Sequence, residues 1–209
     1  MDHYFLDKIA FIRQHPQPHL LGRLIETKTE EGYLSDDELL SFCRLLLIAG
    51  NETTTGLITA SARVFHAFPA TLGQLNLDPS LTTTFIEEAL RFYSPFSATV
   101  RRTKSEVVIA GQQIPKGELV LPLIASANRD QRVFEQADQF NIARNPNPHL
   151  AFGFGIHFCL GAHLARLEGE IAVNCLARHF SSIRLTEPES PEMYGLGGPK
   201  RLNVSLQVC

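Results

Sequence analysis

Cysteine is scarce in this chain of 209 residues: there are four, at positions 43, 159, 175 and 209, with no C-x-x-C pair. That is too few and too scattered for a disulfide scaffold, and it points to a reducing, cytosolic compartment. Long hydrophobic runs are missing too. The longest apolar stretch, Leu45-Leu46-Leu47-Ile48-Ala49, is far short of the ~20 residues that span a bilayer. The opening Met1-Asp2-His3-Tyr4-Phe5 carries an acid and no apolar run, so it does not read as a signal peptide. No charge of one sign dominates: 19 Lys and Arg stand against 22 Asp and Glu, a net charge of −3. That balance excludes a strongly basic nucleic-acid binder or polybasic membrane binder. Repeats and low-complexity segments are absent.

What is there is ordinary for a globular protein: 44% hydrophobic and 20% charged residues. The length suits one domain, residues 1–209, with a core of its own. Apolar spacing predicts helices over 4–25, broken near His15-Pro16 and resumed over His19–Leu24. Polar Thr27–Tyr33 reads as a loop. Ser35-Asp36-Asp37-Glu38 is a capping box that opens a long apolar helix through Leu39–Val64. Its middle, Ala49-Gly50-Asn51-Glu52-Thr53-Thr54-Thr55-Gly56, predicts a distortion, because glycine and adjacent threonines are poor helix interior. A short helical piece lies within Pro69–Pro79, and a further helix covers Leu81–Tyr93. Between Ser97 and Ala125 the pattern turns to strands, with Val107–Ile109 and Leu119–Leu121 flanking a turn at 111–117. Ala162–Phe180 reads as an amphipathic helix with Leu164, Leu167, Ile171, Leu176 and Phe180 on its apolar face, and an alternating strand follows near 202–206. The fold class is therefore mainly α with a small β component.

Three segments carry chemistry. The sharpest is Phe152-Gly153-Phe154-Gly155-Ile156-His157-Phe158-Cys159-Leu160-Gly161, a glycine-rich loop that delivers a cysteine to a helix N-terminus. Free N–H groups and the dipole there favour thiolate. The glycines let backbone approach something flat and large. The loop fails as a dinucleotide fingerprint, because Phe158 stands where the third glycine belongs. His157, Cys159 and His163 are too tightly spaced for zinc, with no fourth ligand evident. The second segment is Glu88-Ala89-Leu90-Arg91, an i,i+3 pair on one helix face. The third is the glycine- and threonine-rich helix middle.

Together these resemble the haem-thiolate monooxygenases, the cytochrome P-450 family, in its bacterial and archaeal soluble type. The signature F-x-x-G-x-x-x-C-x-G is filled by Phe152, Gly155, Cys159 and Gly161. The resemblance implies haem b (iron protoporphyrin IX) with Cys159 as the axial thiolate, which favours O–O cleavage. It implies that Glu88 and Arg91, joined by Arg144, form a structural ion-pair network bracing the cysteine loop, with Glu87 the exposed neighbour. It matches Ala49-Gly50-Asn51-Glu52-Thr53-Thr54 to the family's oxygen groove: Gly50 gives room beside Ala49, Thr53 a hydroxyl, and Glu52 a proton source. Arg101 and His157 would meet the haem propionates, with Arg102 on the opposite face. The remaining histidines, including His149 and His163, are expected to be surface or structural.

The resemblance covers nearly the whole chain, yet the family is roughly twice as long, so only its C-terminal half is expected here. The implied function is insertion of one oxygen atom of O₂ into a small organic, apolar substrate, with a ferredoxin or flavoprotein as electron donor. Substrate contacts are expected from Leu46, Ala49, Phe96–Val100 and the turn near Met193–Gly195. A truncated haem-binding or inert fragment is the alternative. A peroxide-driven enzyme is a third reading, against which the Glu52/Thr53 pair argues. Without the N-terminal half, the long apolar helix is expected to be covered by self-association, by a separate N-terminal fragment, or by rearrangement of residues 1–34.

Overall fold

A computed structural model describes residues 1–30, 32–187, 193–194, 198–199 and 201–209. The helices are α1 (Asp2–Gln14), α2 (Leu20–Glu26), α3 (Asp36–Ala67), α4 (Ala70–Leu77), α5 (Thr82–Phe92), α6 (Ile124–Ala127) and α7 (Ala162–His179). The strands are β1 (Lys28–Thr29), β2 (Gly32–Tyr33), β3 (Arg101–Arg102), β4 (Val107–Ile109), β5 (Gln112–Ile114), β6 (Leu119–Val120), β7 (Phe180–Leu185), β8 (Met193–Tyr194), β9 (Gly198–Pro199) and β10 (Val204–Val208). Helices dominate, and every sheet among the described residues is a two-stranded antiparallel pair. Among those residues, no helix is long and apolar enough to cross a membrane.

The chain divides into two compact units, Met1–Glu52 and Thr53–Cys209, with α3 running through the boundary. In the first unit, Ile9, Ile12, Leu39, Leu40 and Cys43 are buried. Arg13 pairs with Asp36 at 2.6 Å, and Arg44 pairs with Asp2. The capping box forms in both directions: the Ser35 amide donates to Glu38 Oε2 at 2.8 Å and the Glu38 amide to Ser35 Oγ at 3.3 Å. The loop expected at Thr27–Tyr33 instead contains the β1–β2 pair, in which Thr29 Oγ1 donates to the Gly32 carbonyl at 2.8 Å.

The segment expected to be distorted lies inside one long helix, as the sequence reading has it. The helix is unbroken from Asp36 to Ala67. Gly56 has a packing cause: a Cβ there would lie 2.9 Å from Pro95 Cβ. Gly50 has nothing within 4 Å of a Cβ position.

The second unit holds a core built from α3, α4, α5, α7 and β7, with Leu57, Val64, Phe65, Leu75, Phe85 and Val173 among its members. Phe65 and Phe85 stack with ring centroids 5.1 Å apart. The inward face of α7 matches the expected one only in part: Leu176 and Phe180 pack against the core. Ala162, Gly169, Val173 and Ala177 are buried, whereas Leu164, Leu167 and Ile171 are 59%, 54% and 62% exposed. Close approach explains the difference. A Cβ on Gly169 would sit 2.7 Å from Leu57 Cδ2 and 3.1 Å from Ile86 Cδ1. Small residues let α7 lie against its neighbours, and Leu164, Leu167 and Ile171 are left outside.

The strand pairing also differs from expectation. Val107–Ile109 pairs with Gln112–Ile114 across a two-residue turn, Ala110-Gly111, both with positive φ. That is the turn whose twist suits a hairpin. Leu119–Val120 pairs instead with Arg101–Arg102, and Thr103 anchors that return by donating to the Pro115 carbonyl at 2.7 Å and accepting from the Glu118 amide at 3.0 Å.

Candidate functional site

Arg91, on the last turn of α5, is fully buried beside a fully buried Glu88. A guanidinium has five N–H donors and no acceptor, and here all five are used. Nε and Nη2 donate to the Glu88 carboxylate at 2.8 Å each. Nη1 donates to the carbonyls of Asn128 and Ala137 at 2.9 and 2.8 Å, and Nη2 also to that of Gln139 at 2.9 Å. Glu88 accepts further bonds from Arg144 Nε at 3.0 Å, the Asn141 amide at 2.9 Å and Asn147 Nδ2 at 3.1 Å. A buried ion pair is tolerable when its remaining hydrogen-bonding capacity is met in this way. The structure thus brings Glu88, Arg91 and Arg144 together and ties α5 to the 128–147 segment.

Asn128 continues the brace. It is fully buried, donates to Ser94 Oγ at 2.8 Å and accepts the Leu150 amide at 2.7 Å. Leu150 in turn accepts from the Gly153 amide at 2.9 Å, so the loop's first turn hangs on this hydrogen-bonded relay.

Glu87 is not the exposed neighbour the sequence suggests. It takes a fork of hydrogen bonds from Arg166 on α7, Nε at 2.7 Å and Nη2 at 3.0 Å, and lies 3.1 Å from His149 Nε2. His149 Nδ1 accepts the Ala151 amide at 3.2 Å, which places a ring proton on Nε2, facing Glu87. Burial pushes the Glu87 carboxyl up, but the hydrogen bonds from His149 and Arg166 and the Arg166 charge outweigh it and hold it at about 2. Arg166 is raised chiefly by its hydrogen bond to Glu87. Its guanidinium also lies 4.5 Å over the centre of the Phe152 ring.

The cysteine loop is set by Gly153 and Gly155, at φ 73° and 67°. A Cβ on Gly153 would also come within 3.2 Å of the His157 carbonyl. A 3₁₀ turn at Gly155–His157 leads into Cys159, whose amide donates to the Phe152 carbonyl at 2.8 Å. Gly161 caps α7 and leaves open the space beside Cys159 Sγ, which would lie 4.0 Å from a Cβ. Phe152 is buried, Cys159 is a free, exposed thiol, and Phe154, Ile156 and Leu160 around it are exposed. An accessible thiol at a helix start, within a glycine-relieved apolar surface, is a donor set that fits a large apolar metal macrocycle. Among the described residues, no group of three His, Cys, Asp or Glu side chains could hold a metal ion, so His157, Cys159 and His163 form no zinc site.

The other expected site residues are placed as follows. Arg101 is exposed on β3, and its Nη1 donates to Thr99 Oγ1 and the Val100 carbonyl, both at 2.9 Å. Arg102 Nη1 bonds the Gly117 carbonyl at 2.6 Å. His157 is exposed. Ala49, Gly50, Glu52 and Thr53 follow one another on α3, with Glu52 and Thr53 partly buried. Neighbouring Thr54 donates to Glu168 Oε2 at 3.0 Å. Gly195, in the turn expected to touch substrate, lies outside the described residues.

Residues 78–203 match the cytochrome P450 family. Cytochrome P450 119 of Sulfolobus acidocaldarius is 44% identical over 203 residues, covering 97% of this chain and 54% of that relative. Substrate-free CYP109E1 from Bacillus megaterium superposes with a TM-score of 0.94 at 37% identity, over 100% of this chain and 55% of that structure. The complex of CYP109E1 with testosterone gives 0.91 at 38% identity, over 97% and 56%. The chain therefore spans about half the length of the relatives it matches. The fold is a partial cytochrome P450 fold, membership implies a haem cofactor, and this chain belongs to the cytochrome P450 family.

Proposed function

We propose that this chain carries the thiolate-bearing part of a haem-thiolate monooxygenase that acts on a small apolar organic substrate. One observation carries the reading: an exposed Cys159 thiol, amide-anchored to Phe152 on a loop braced by the buried Glu88–Arg91–Arg144 cluster. In this reading Cys159 would hold the haem iron, and Gly155 and Gly161 would keep side chains out of the way of the ring. Haem b bound there supplies dioxygen binding and O–O cleavage. Arg101 and His157 hold its propionates by charge-assisted hydrogen bonds. On α3, Glu52 is the proton source, the Thr53 hydroxyl holds the proton in line, and Ala49 and Gly50 leave room. Positioned proton transfer of this kind contributes typically ~10²–10⁴-fold.

Electrons come from a ferredoxin or flavoprotein. The testosterone complex of CYP109E1 supports an apolar substrate. The half-length match favours one second reading, a haem-binding or inert fragment. Adding haem to the expressed chain, reducing it and admitting carbon monoxide separates the two. A thiolate-type band that Cys159→Ala abolishes, with oxygenated product when reductant, O₂ and an apolar substrate are supplied, supports the first reading; the band without product supports the second. A chain that holds no haem supports the second.

A further inference from the structure

Glu87 and Glu88 are adjacent on α5 but serve different parts of the chain. Glu88 gathers the segment 139–147, as described above. Glu87 gathers the segment from His149 to Arg166, which contains the whole cysteine loop. The two clusters also differ in burial: Glu88 and Arg91 are sealed, whereas the Glu87 and Arg166 side chains are 23% and 30% exposed. Losing a partly exposed pair costs the global fold little. Its geometric reach is what distinguishes it. Arg166 is held by a two-point fork, and the same guanidinium lies over the Phe152 ring, its Cζ 4.5 Å from the ring centre. Phe152 in turn supplies the carbonyl that holds the Cys159 amide. His149, the third member, ties the residues just before Phe152 to the same carboxylate.

We propose that Arg166, clamped by Glu87, is a positioning residue for Cys159: by pinning the Phe152 ring it fixes the backbone from which the thiol is presented. The assignment rests on the reading of Cys159 as the metal ligand, but the clamp exists in the chain without haem. A second requirement follows from the fork. Arginine is needed, because lysine keeps the charge but neither the two parallel bonds nor the flat face.

The test compares Arg166→Met, Arg166→Lys and Glu87→Gln with the parent chain by hydrogen–deuterium exchange without haem, then by the reduced carbon monoxide spectrum with haem. The Cys159 amide is expected to exchange roughly tenfold faster in Arg166→Met, the scale of one lost cation–π contact and ion pair. Amides of α4 and α5 keep parental rates. Arg166→Lys falls between the two, and Glu87→Gln follows Arg166→Met. With haem, the same order appears as a growing share of the band characteristic of a lost thiolate ligand. Unchanged Cys159 exchange in Arg166→Met, or equal acceleration at α4 and α5, overturns the proposal. If Arg166→Met does not fold, Arg166→Lys decides, since parental Cys159 exchange there also overturns it. A parent chain that binds no haem refutes the haem reading and leaves the exchange comparison valid, so the two failures are distinct.

Discussion

At the residue scale, energy is concentrated in two carboxylates. Removing one partner from a buried, fully bonded ion pair strands the other's charge, which costs ~3–5 kcal/mol. Arg91→Leu is therefore expected to lose about that much in urea unfolding, a large part of the ~5–15 kcal/mol that holds a typical domain together. Glu87 sets a pH limit. Its carboxyl is held at about 2 against 4.5 for the free group, so its contribution is present above pH 4.5 and is lost as pH falls through 2. Solvent reaches both partners of the pair, which leaves this contribution on the order of 1 kcal/mol. Acid titration of the parent is expected to show this loss between pH 5 and 2, and Glu87→Gln to flatten it. The ion-pair trio Glu88, Arg91 and Arg144 was legible because its spacing and order resemble a known pattern. Glu87, His149 and Arg166 were not. An acid next to an acid carries no local sign of which will be buried, and Arg166 lies 79 positions away from its partner.

At the element scale, periodicity located the helices well, because caps and apolar spacing are local. The Ser35–Glu38 box formed as written. Which face of α7 turns inward was legible only in part. The pattern of large apolar residues points one way, but the close approach of Leu57 and Ile86 selects the small-residue side. Two glycines check this account. Gly73, in α4, has nothing within 4 Å of a Cβ, so Gly73→Ala is expected to stabilise by ~0.5–1 kcal/mol through helix propensity and backbone entropy. At Gly169 the same propensity gain is opposed by overpacking against Leu57 and Ile86, which costs ~1–3 kcal/mol. Gly169→Ala should lower the thermal midpoint where Gly73→Ala raises it. Within Ala49–Gly56, Gly56 likewise answers to a neighbour from elsewhere in the chain, Pro95, whose approach local sequence does not reveal.

At the scale of the whole molecule, apolar surface is left uncovered in both units. In the first, Leu45, Leu46, Leu47 and Ile48 are exposed, as are Tyr4 and Phe11. Residues 1–34 therefore do not cover that stretch of α3. In the second, Leu164, Leu167 and Ile171 are exposed on α7 at spacings of three and four, and Leu160, just before the helix, is exposed as well. Single exposed leucines are ordinary, but contiguous apolar rows mark association surfaces. Burying one side chain of this size yields ~1.5–3 kcal/mol, so a stripe of four that meets another apolar surface favours association against the entropy of binding. The chain alone is accordingly expected to self-associate in sedimentation or light scattering, increasingly with concentration and not with salt removal, since the contact is apolar. The variant Leu164→Lys, Leu167→Glu and Ile171→Lys leaves the buried face of α7 untouched and should shift the distribution toward monomer with its helical circular dichroism retained. A parent that stays monomeric at high concentration would refute this account of the α7 stripe.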